Sequence, residues 1–213
     1  MKKENVVCVP LDSIKSSYDL ERQYWPIDEK GIDSMPYNFL KRANAEHDYT
    51  HKQLIPYAII HNSDGKILCY QRHGSEERLS GIFSLGIGGH VNDNDVGDCL
   101  SKILTNGLRR EFAEEIGLNL PENRFELLGM INEDESEVGH CHIGVVYSVS
   151  IGDEPMTFDN EIFNPQWLNL EDIALSKFEL WSSLALRLFG QIYGKQINEE
   201  QLHTKEYHKL PTP

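Results

Sequence analysis

The pattern of apolar and polar positions is clearest from residue 51 onward. Two apolar runs, "LIPYAII" and "ILCYQRH", flank "NSDG", which predicts a β-hairpin. "GIFSLGIGGHV" reads as a third strand whose glycines let the backbone approach a neighbour closely. Leu100, Leu104, Leu108, Phe112 and Ile116 then recur every four residues, predicting a helix over 98–116 with a core-facing stripe. Asp98 is placed to cap its start and Gly117 to stop it. "RFELLGMIN" and "HCHIGVVYSVSI" follow as strands. In the second, Cys141, Ile143, Val145, Tyr147, Val149 and Ile151 alternate onto one apolar face, leaving His142, Gly144, Ser148 and Ser150 on the other with Val146. "FNPQWLNLEDI" predicts a strand and turn leading to a last amphipathic helix over 178–193.

Ahead of this block, "NVVCVP" is a short strand ended by Pro10, and "PYNFLKRANAEH" carries weak helical patterning. The expected organisation is an N-terminal arm over 1–50 packing on a core domain over 51–195, with a polar tail over 196–213. Strands mixed with one central and one terminal helix predict an α/β or α+β sandwich.

Composition narrows the function. The 213 residues are 39% hydrophobic and 25% charged, ordinary values for a globular chain with a real core. A net charge of −14 opposes non-specific binding to nucleic acid polymers or anionic membranes. A small phosphate substrate stays compatible, because a bound cation inverts the local field. Cys8, Cys69, Cys99 and Cys141 form no CxxC pair, and no stretch has the length of a signal peptide core or a membrane span. The expectation is a cytoplasmic protein with reduced cysteines.

The chemistry concentrates in "LRREFAEEIGLN". Glu111, Glu114 and Glu115 share one face of the predicted helix in its last turns. Carboxylates there meet the negative end of the helix dipole, at roughly 0.3–1 kcal/mol each. Like charges at these spacings repel by roughly 0.2–0.5 kcal/mol more per pair. Arg109 and Arg110 offset part of this. A solvated charged face is one reading. The other is a hard divalent cation: Mg²⁺ takes oxygen ligands and commonly joins a few carboxylates to substrate phosphates.

"GGH" followed by "REFAEEIGL" resembles the signature of the Nudix hydrolases. Arg110, Glu111, Phe112, Glu114, Glu115, Gly117 and Leu118 match its second half, and Gly89, preceded by Gly88, matches its opening glycine. "GIGGH", the long spacing after it, "INEDESEVGHCHIGVVY" and the N-terminal arm are most similar to a subgroup described as predicted MutT-type phosphoesterases. The resemblance implies an α/β/α sandwich with a mixed sheet and an N-terminal extension. It implies Mg²⁺-dependent hydrolysis, with Mn²⁺ as an alternative ion, of the diphosphate in a nucleoside diphosphate linked to another moiety. On the matching positions, Gly88 would offer a carbonyl to the metal, Glu114 and Glu115 would be its main ligands, and Glu111 would ligate or position water. Arg110 would orient the glutamates through ion pairs.

Some positions depart from the signature. Gly89 and Glu111 are separated by an inserted stretch, "NDNDVGD", and the signature's first glutamate falls on Lys102. Its role is either lost or moved to Asp93, Asp95 or Asp98. That departure keeps a second reading open, a Nudix-fold module that holds a nucleotide without efficient cleavage. Isoprenoid isomerases share the fold but carry a cysteine beside the "GH" turn, which "SLGIGGH" lacks. In this family an acid from a loop often assists, and "NEDESE" offers Glu133, Asp134, Glu135 and Glu137. Glu137, nearest the next strand, is the chosen candidate for a general base. His140 and His142 share a predicted strand face; His142 is expected to line the substrate site or hold a hydrogen bond. Arg72 and Arg78 are candidate phosphate holders, with ordinary ion pairs as the alternative. The expected partner is a small diphosphate molecule, and a homodimer stays open.

Overall fold

The computed structural model describes residues 4–72, 82–152 and 154–197. Its strands form one mixed sheet. The central strand β4 (His51–His61) is an almost continuous buried run, "KQLIPYAII", as a strand covered on both faces should be. It runs parallel to β9 (His142–Ser150), with Gln53 opposite His142 and His61 opposite Ser150. Outward from this pair the order is β10 (Ile162–Leu168), β5 (Ile67–Arg72), β4, β9, β8 (Phe125–Ile131), β2 (Tyr24–Pro26). The two short strands β6 (Phe83–Ser84) and β7 (Gly86–Gly88) replace the single strand expected over "GIFSLGIGGHV".

The N-terminal residues do more than pack on the domain: they extend its sheet. β1 (Asn5–Pro10) pairs with β4 through Cys8–Gln53, and β3 (Asn38–Lys41) pairs with β1. The helical patterning read over "PYNFLKRANAEH" is corrected here. Its first half is strand β3, and only α3 (Arg42–Ala45) is helical. Pairing with β1 overrides the local pattern. Two short helices, α1 (Leu11–Lys15) and α2 (Glu29–Asp33), complete this region.

The long helix α4 (Leu100–Glu115) covers one face of the sheet, and α6 (Leu180–Tyr193) covers the other. Alternation along β9 decides which side chain meets which helix. Ile143, Val145, Tyr147 and Val149 join the core beneath Leu100, Leu104, Leu108 and Phe112 of α4. Val146 joins the core beneath Leu184, Leu186 and Leu188 of α6. Among the described residues no helix is long and apolar enough to cross a membrane.

Both ends of α4 have identifiable causes. At the C-terminus Gly117 adopts φ +69, and Leu118 N–H returns to the Phe112 carbonyl (3.1 Å), so the predicted stop holds. The predicted start is corrected. Cys99 precedes the helix without a side-chain cap, and Asp98 is exposed. The capping carboxylate comes from α2, where Asp33 Oδ1 accepts from Ser101 N–H at 2.8 Å.

Pro56 sits in the middle of β4 with no N–H to give. One edge of β4 is paired with β1 as far as Gln53 and with β7 from Tyr57, so Pro56 falls where that edge changes partner. The glycine turn leaves the sheet at this gap. A Cβ on Gly88 would lie 1.9 Å from the Pro56 carbonyl oxygen, so only glycine fits.

Candidate active site

The site is built where this glycine turn meets the last turns of α4. A Cβ on Gly89 would lie 2.7 Å from the Glu111 carboxyl, so the turn and the glutamate are in direct apposition. Glu111 is 14% exposed in its side chain and Glu114 61% exposed, which makes Glu111 the inner and Glu114 the outer acid of the shared face. Burial, together with the nearby charges of Glu114 and Asp95, pushes the Glu111 carboxyl above its ordinary range despite Arg110.

Arg110 organises this corner. Its Nη1 donates to Glu111 Oε1 (2.7 Å) and reaches Glu114 Oε2 at 3.5 Å. Its Nη2 donates to the His90 carbonyl (2.8 Å), tying the helix to the turn. Nε and Nη2 also grip Asp95 in a two-pronged pair, at 3.0 and 2.9 Å. Arg109 does not share this work: its Nε donates to the Leu120 carbonyl. Asp95 lies in the inserted stretch, so of the three acids there it is the one that reaches the motif. Asp93 accepts from Asn5 (2.7 Å), and Lys102, at the position of the signature's first glutamate, pairs with Glu122.

The "NEDESE" segment sorts its acids by burial and bonding. Glu133 is 4% exposed and accepts from the backbone N–H groups of Glu135 and Ser136 and from the Ser136 hydroxyl. Asp134 accepts from Lys52 at 2.6 Å. Both are committed to structure. Glu137 is exposed and opens the short helix α5 (Glu137–Cys141), capped by Ser136 through Gly139 N–H. The expectation that this segment runs from loop directly into strand is corrected by that helix. His140 therefore lies on α5, exposed, edge-on to Tyr49, and does not share a strand face with His142.

His142 starts β9 and is 9% exposed. Its Nδ1 donates to the Val138 carbonyl (2.7 Å), because a carbonyl can only accept. Its Nε2 is then an acceptor, and His90 Nε2 donates to it at 3.1 Å. Burial disfavours the charged form of both rings. Burial pushes His90 down to about 3, helped by the positive charges of Arg42 and Arg110, and burial also lowers His142. This contact joins the glycine turn to the start of β9 and, through the Val138 carbonyl, to α5.

Two other residues escaped the sequence reading. Lys52 is 1% exposed and donates to Asn132, Asp134 and the Gly139 carbonyl, pinning the start of the "NEDESE" segment to α5, which follows it. Its neighbours in "HKQLIP" gave a faint signal, a lysine opening an apolar strand. His90 stood in the quoted "GGH" but had no visible partner. Arg72 is the last residue of β5, and Arg78 lies outside the described residues.

Comparison with known proteins identifies the family of the fold. Residues 51–189 match the NUDIX domain family. The chain is 31% identical over 159 residues to Protein YmaB of Bacillus subtilis (strain 168), covering 70% of this chain and 77% of that one. The crystal structure of Tm1382, assigned as a Nudix hydrolase, is 28% identical with a TM-score of 0.70, covering 89% of this chain and 100% of that chain. The MutT protein from Methanosarcina mazei Go1 shares the fold at 23% identity and a TM-score of 0.52, covering 67% of this chain and 95% of that chain. The chain belongs to the Nudix family. It is a hydrolase acting on diphosphate linkages, of a family that generally uses divalent cations.

Proposed function

We propose that this chain is a Mg²⁺-dependent hydrolase that splits the diphosphate of a nucleoside diphosphate linked to another moiety. The observation that carries the reading is the acid face of α4, with Glu111 set against Gly89 and held by Arg110. The donor set fits a hard cation. Every side-chain donor on the helix face is a carboxylate oxygen, and Glu111 bears a burial and like-charge penalty that a cation relieves. Among the described residues no three His, Cys, Asp or Glu close into a cage. Mg²⁺ does not need one, because it commonly keeps waters and takes substrate phosphates as ligands. Mn²⁺ meets the same oxygens.

Glu114 and Glu115 would be the main ligands, with Glu111 and the Gly88 carbonyl alongside. When bound, the cation neutralises the diphosphate and acts as a Lewis acid. Arg110 keeps Glu111 turned toward the glycine turn. Water attacks one phosphorus, the P–O–P bridge breaks, and the bridging oxygen leaves with the other phosphate. A carboxylate accepts the water's proton. Glu137 suits that role because it is exposed, whereas Glu133 is buried and Asp134, though half-exposed, is held by Lys52 and Asn132; Glu111 is the rival. His142, Arg72 and Arg78 are the candidate substrate contacts. A small diphosphate as partner, a cytoplasmic setting and a homodimer belong to the same proposal. The non-cleaving module was kept open by the missing first glutamate; Asp95 bonded to Arg110 weakens that ground.

The test is a screen of nucleoside diphosphates, sugar nucleotides, dinucleotides and coenzyme A derivatives with Mg²⁺, reading phosphate and monophosphate release. Turnover of at least one class that stops in chelator is the expected result. No turnover of any class, with nucleotide binding retained, supports the module instead.

A further inference from the structure

The inserted stretch is longer than the Nudix signature allows, yet its Asp95 is 6% exposed and locked to the motif arginine. Helix geometry explains why position 102 cannot serve. Lys102 lies in the first turn of α4, eight residues before Arg110, and about 12 Å away along the axis at about 1.5 Å per residue. A carboxylate there would be out of reach of the Arg110 guanidinium. The insertion spans this distance by folding back onto α4.

Gly107 makes that possible. It is a glycine inside a helix, a choice that costs about 1 kcal/mol relative to alanine. A Cβ there would lie 2.7 Å from Val91 Cγ2 and 3.2 Å from Asp95 Oδ2. The bare stretch of helix at Gly107 is the seat of the inserted loop. Asp95 is also aimed from the other side. Asn92 N–H donates to Asp95 Oδ2 (2.9 Å), and Asn92 Nδ2 donates to Glu4 Oε1 (3.2 Å). Glu4 Oε2 accepts from Arg42 at 3.2 Å. Glu4 and Arg42 both lie outside the family-matched region 51–189, so the N-terminal segment helps set the acid.

We propose that Asp95, seated on α4 at Gly107 and held by the Glu4–Asn92 contact, is a positioning residue that orients Arg110 and, through it, Glu111 for divalent-metal binding. The proposal rests on the metal-dependent reading above. It assigns the work of the missing signature glutamate to an acid that arrives from an insertion, and it gives the N-terminal segment a part in the site.

The experiment measures Mn²⁺ binding to the metal-free full chain by calorimetry, with unfolding midpoints recorded in chelator. Asp95→Asn keeps the size and drops the charge, and its Mn²⁺ affinity should fall roughly 10–100-fold, the range for a lost outer-shell partner. Gly107→Ala leaves every charge in place but forces Val91, and with it the seat of the loop carrying Asp95, away from the helix, and should lower affinity in the same direction even if Asp95→Asn fails to fold. Asn5→Ala breaks the neighbouring contact to Asp93 and should leave affinity at the parental value. Folded Asp95→Asn and Gly107→Ala chains that bind Mn²⁺ like the parent overturn the proposal, as does an equal loss in Asn5→Ala, which would make the effect one of loop stability alone. A parental chain that binds no Mn²⁺ refutes the metal reading itself and this inference with it.

Discussion

Lys52→Met should destabilise the protein out of proportion to its conservative volume. The ammonium is 1% exposed and donates to Asn132 Oδ1 (2.5 Å), Asp134 Oδ1 (2.6 Å) and the Gly139 carbonyl (2.8 Å). Methionine keeps the stem in its apolar channel but leaves the Asn132 and Gly139 oxygens buried without this donor. Each costs roughly 1–3 kcal/mol. Asp134 is 50% exposed, regains water, and adds little. The total is about 2–6 kcal/mol, which for a domain of this size lowers Tm by roughly 4–24 °C. Thermal denaturation followed by circular dichroism measures it, and hydrogen exchange should show the loss concentrated over 132–142. The pair also has a pH signature. Burial works against ionisation of Asp134, but hydrogen bonds from Lys52 and Asn132 outweigh it and hold the carboxyl below its ordinary value. Its stabilisation is therefore complete above the unfolded pKa of about 3.9 and is lost as the pH falls through the lower folded value. Asp134→Asn should remove that part of the acid sensitivity and also lower Tm at neutral pH, because the buried Lys52 ammonium loses its counter-charge. A Lys52→Met protein as stable as the parent would refute the reasoning.

Asp33→Ala should cost about 0.5–2 kcal/mol by uncapping α4, whereas Asp98→Ala should be nearly neutral; paired melting curves decide, and the reverse order contradicts the assigned cap. Glu137→Gln should lower kcat by roughly 10²–10⁴ with little change in KM, and a variant within a few-fold of the parent beside an inactive Glu111→Gln would assign the base to Glu111. Burial pushes the thiols of Cys8 and Cys69 up to about 12, so both should resist a thiol reagent in the native state at neutral pH and react on unfolding. Rapid native labelling of either would show that the strand carrying it opens.

Elements with a strong local period were legible in the sequence. The alternation in "HCHIGVVYSVSI" assigned Ile143 and Val146 to opposite faces, and the spacing from Leu100 to Ile116 marked the core side of α4. Gly117 was legible because a helix stop is a local backbone requirement. What could not be read depends on partners far along the chain. Asp98 stood where a cap belongs, but the capping carboxylate arrives from Asp33, 68 positions before the residue it caps. Lys52 meets acceptors 80 to 87 positions away, and a lysine opening an apolar strand is a faint signal of burial that names none of them. "PYNFLKRANAEH" misled because an edge strand paired to β1 has weak period of its own. Within the site, the motif glutamates and Arg110 were visible as a pattern. The choice of Asp95 over Asp93 and Asp98 was not, since only the folded loop over Gly107 distinguishes three acids in one polar run.

The central claim is that the acids at the end of α4 hold the cation that makes diphosphate cleavage possible. The most direct test compares parent and Glu115→Gln on a substrate taken from the screen, measuring Mg²⁺-dependent turnover together with Tm in chelator. The account predicts that Glu115→Gln loses most of its turnover while its metal-free Tm is unchanged or higher, because one carboxylate is removed from the negative end of the helix. Full turnover in Glu115→Gln would contradict it.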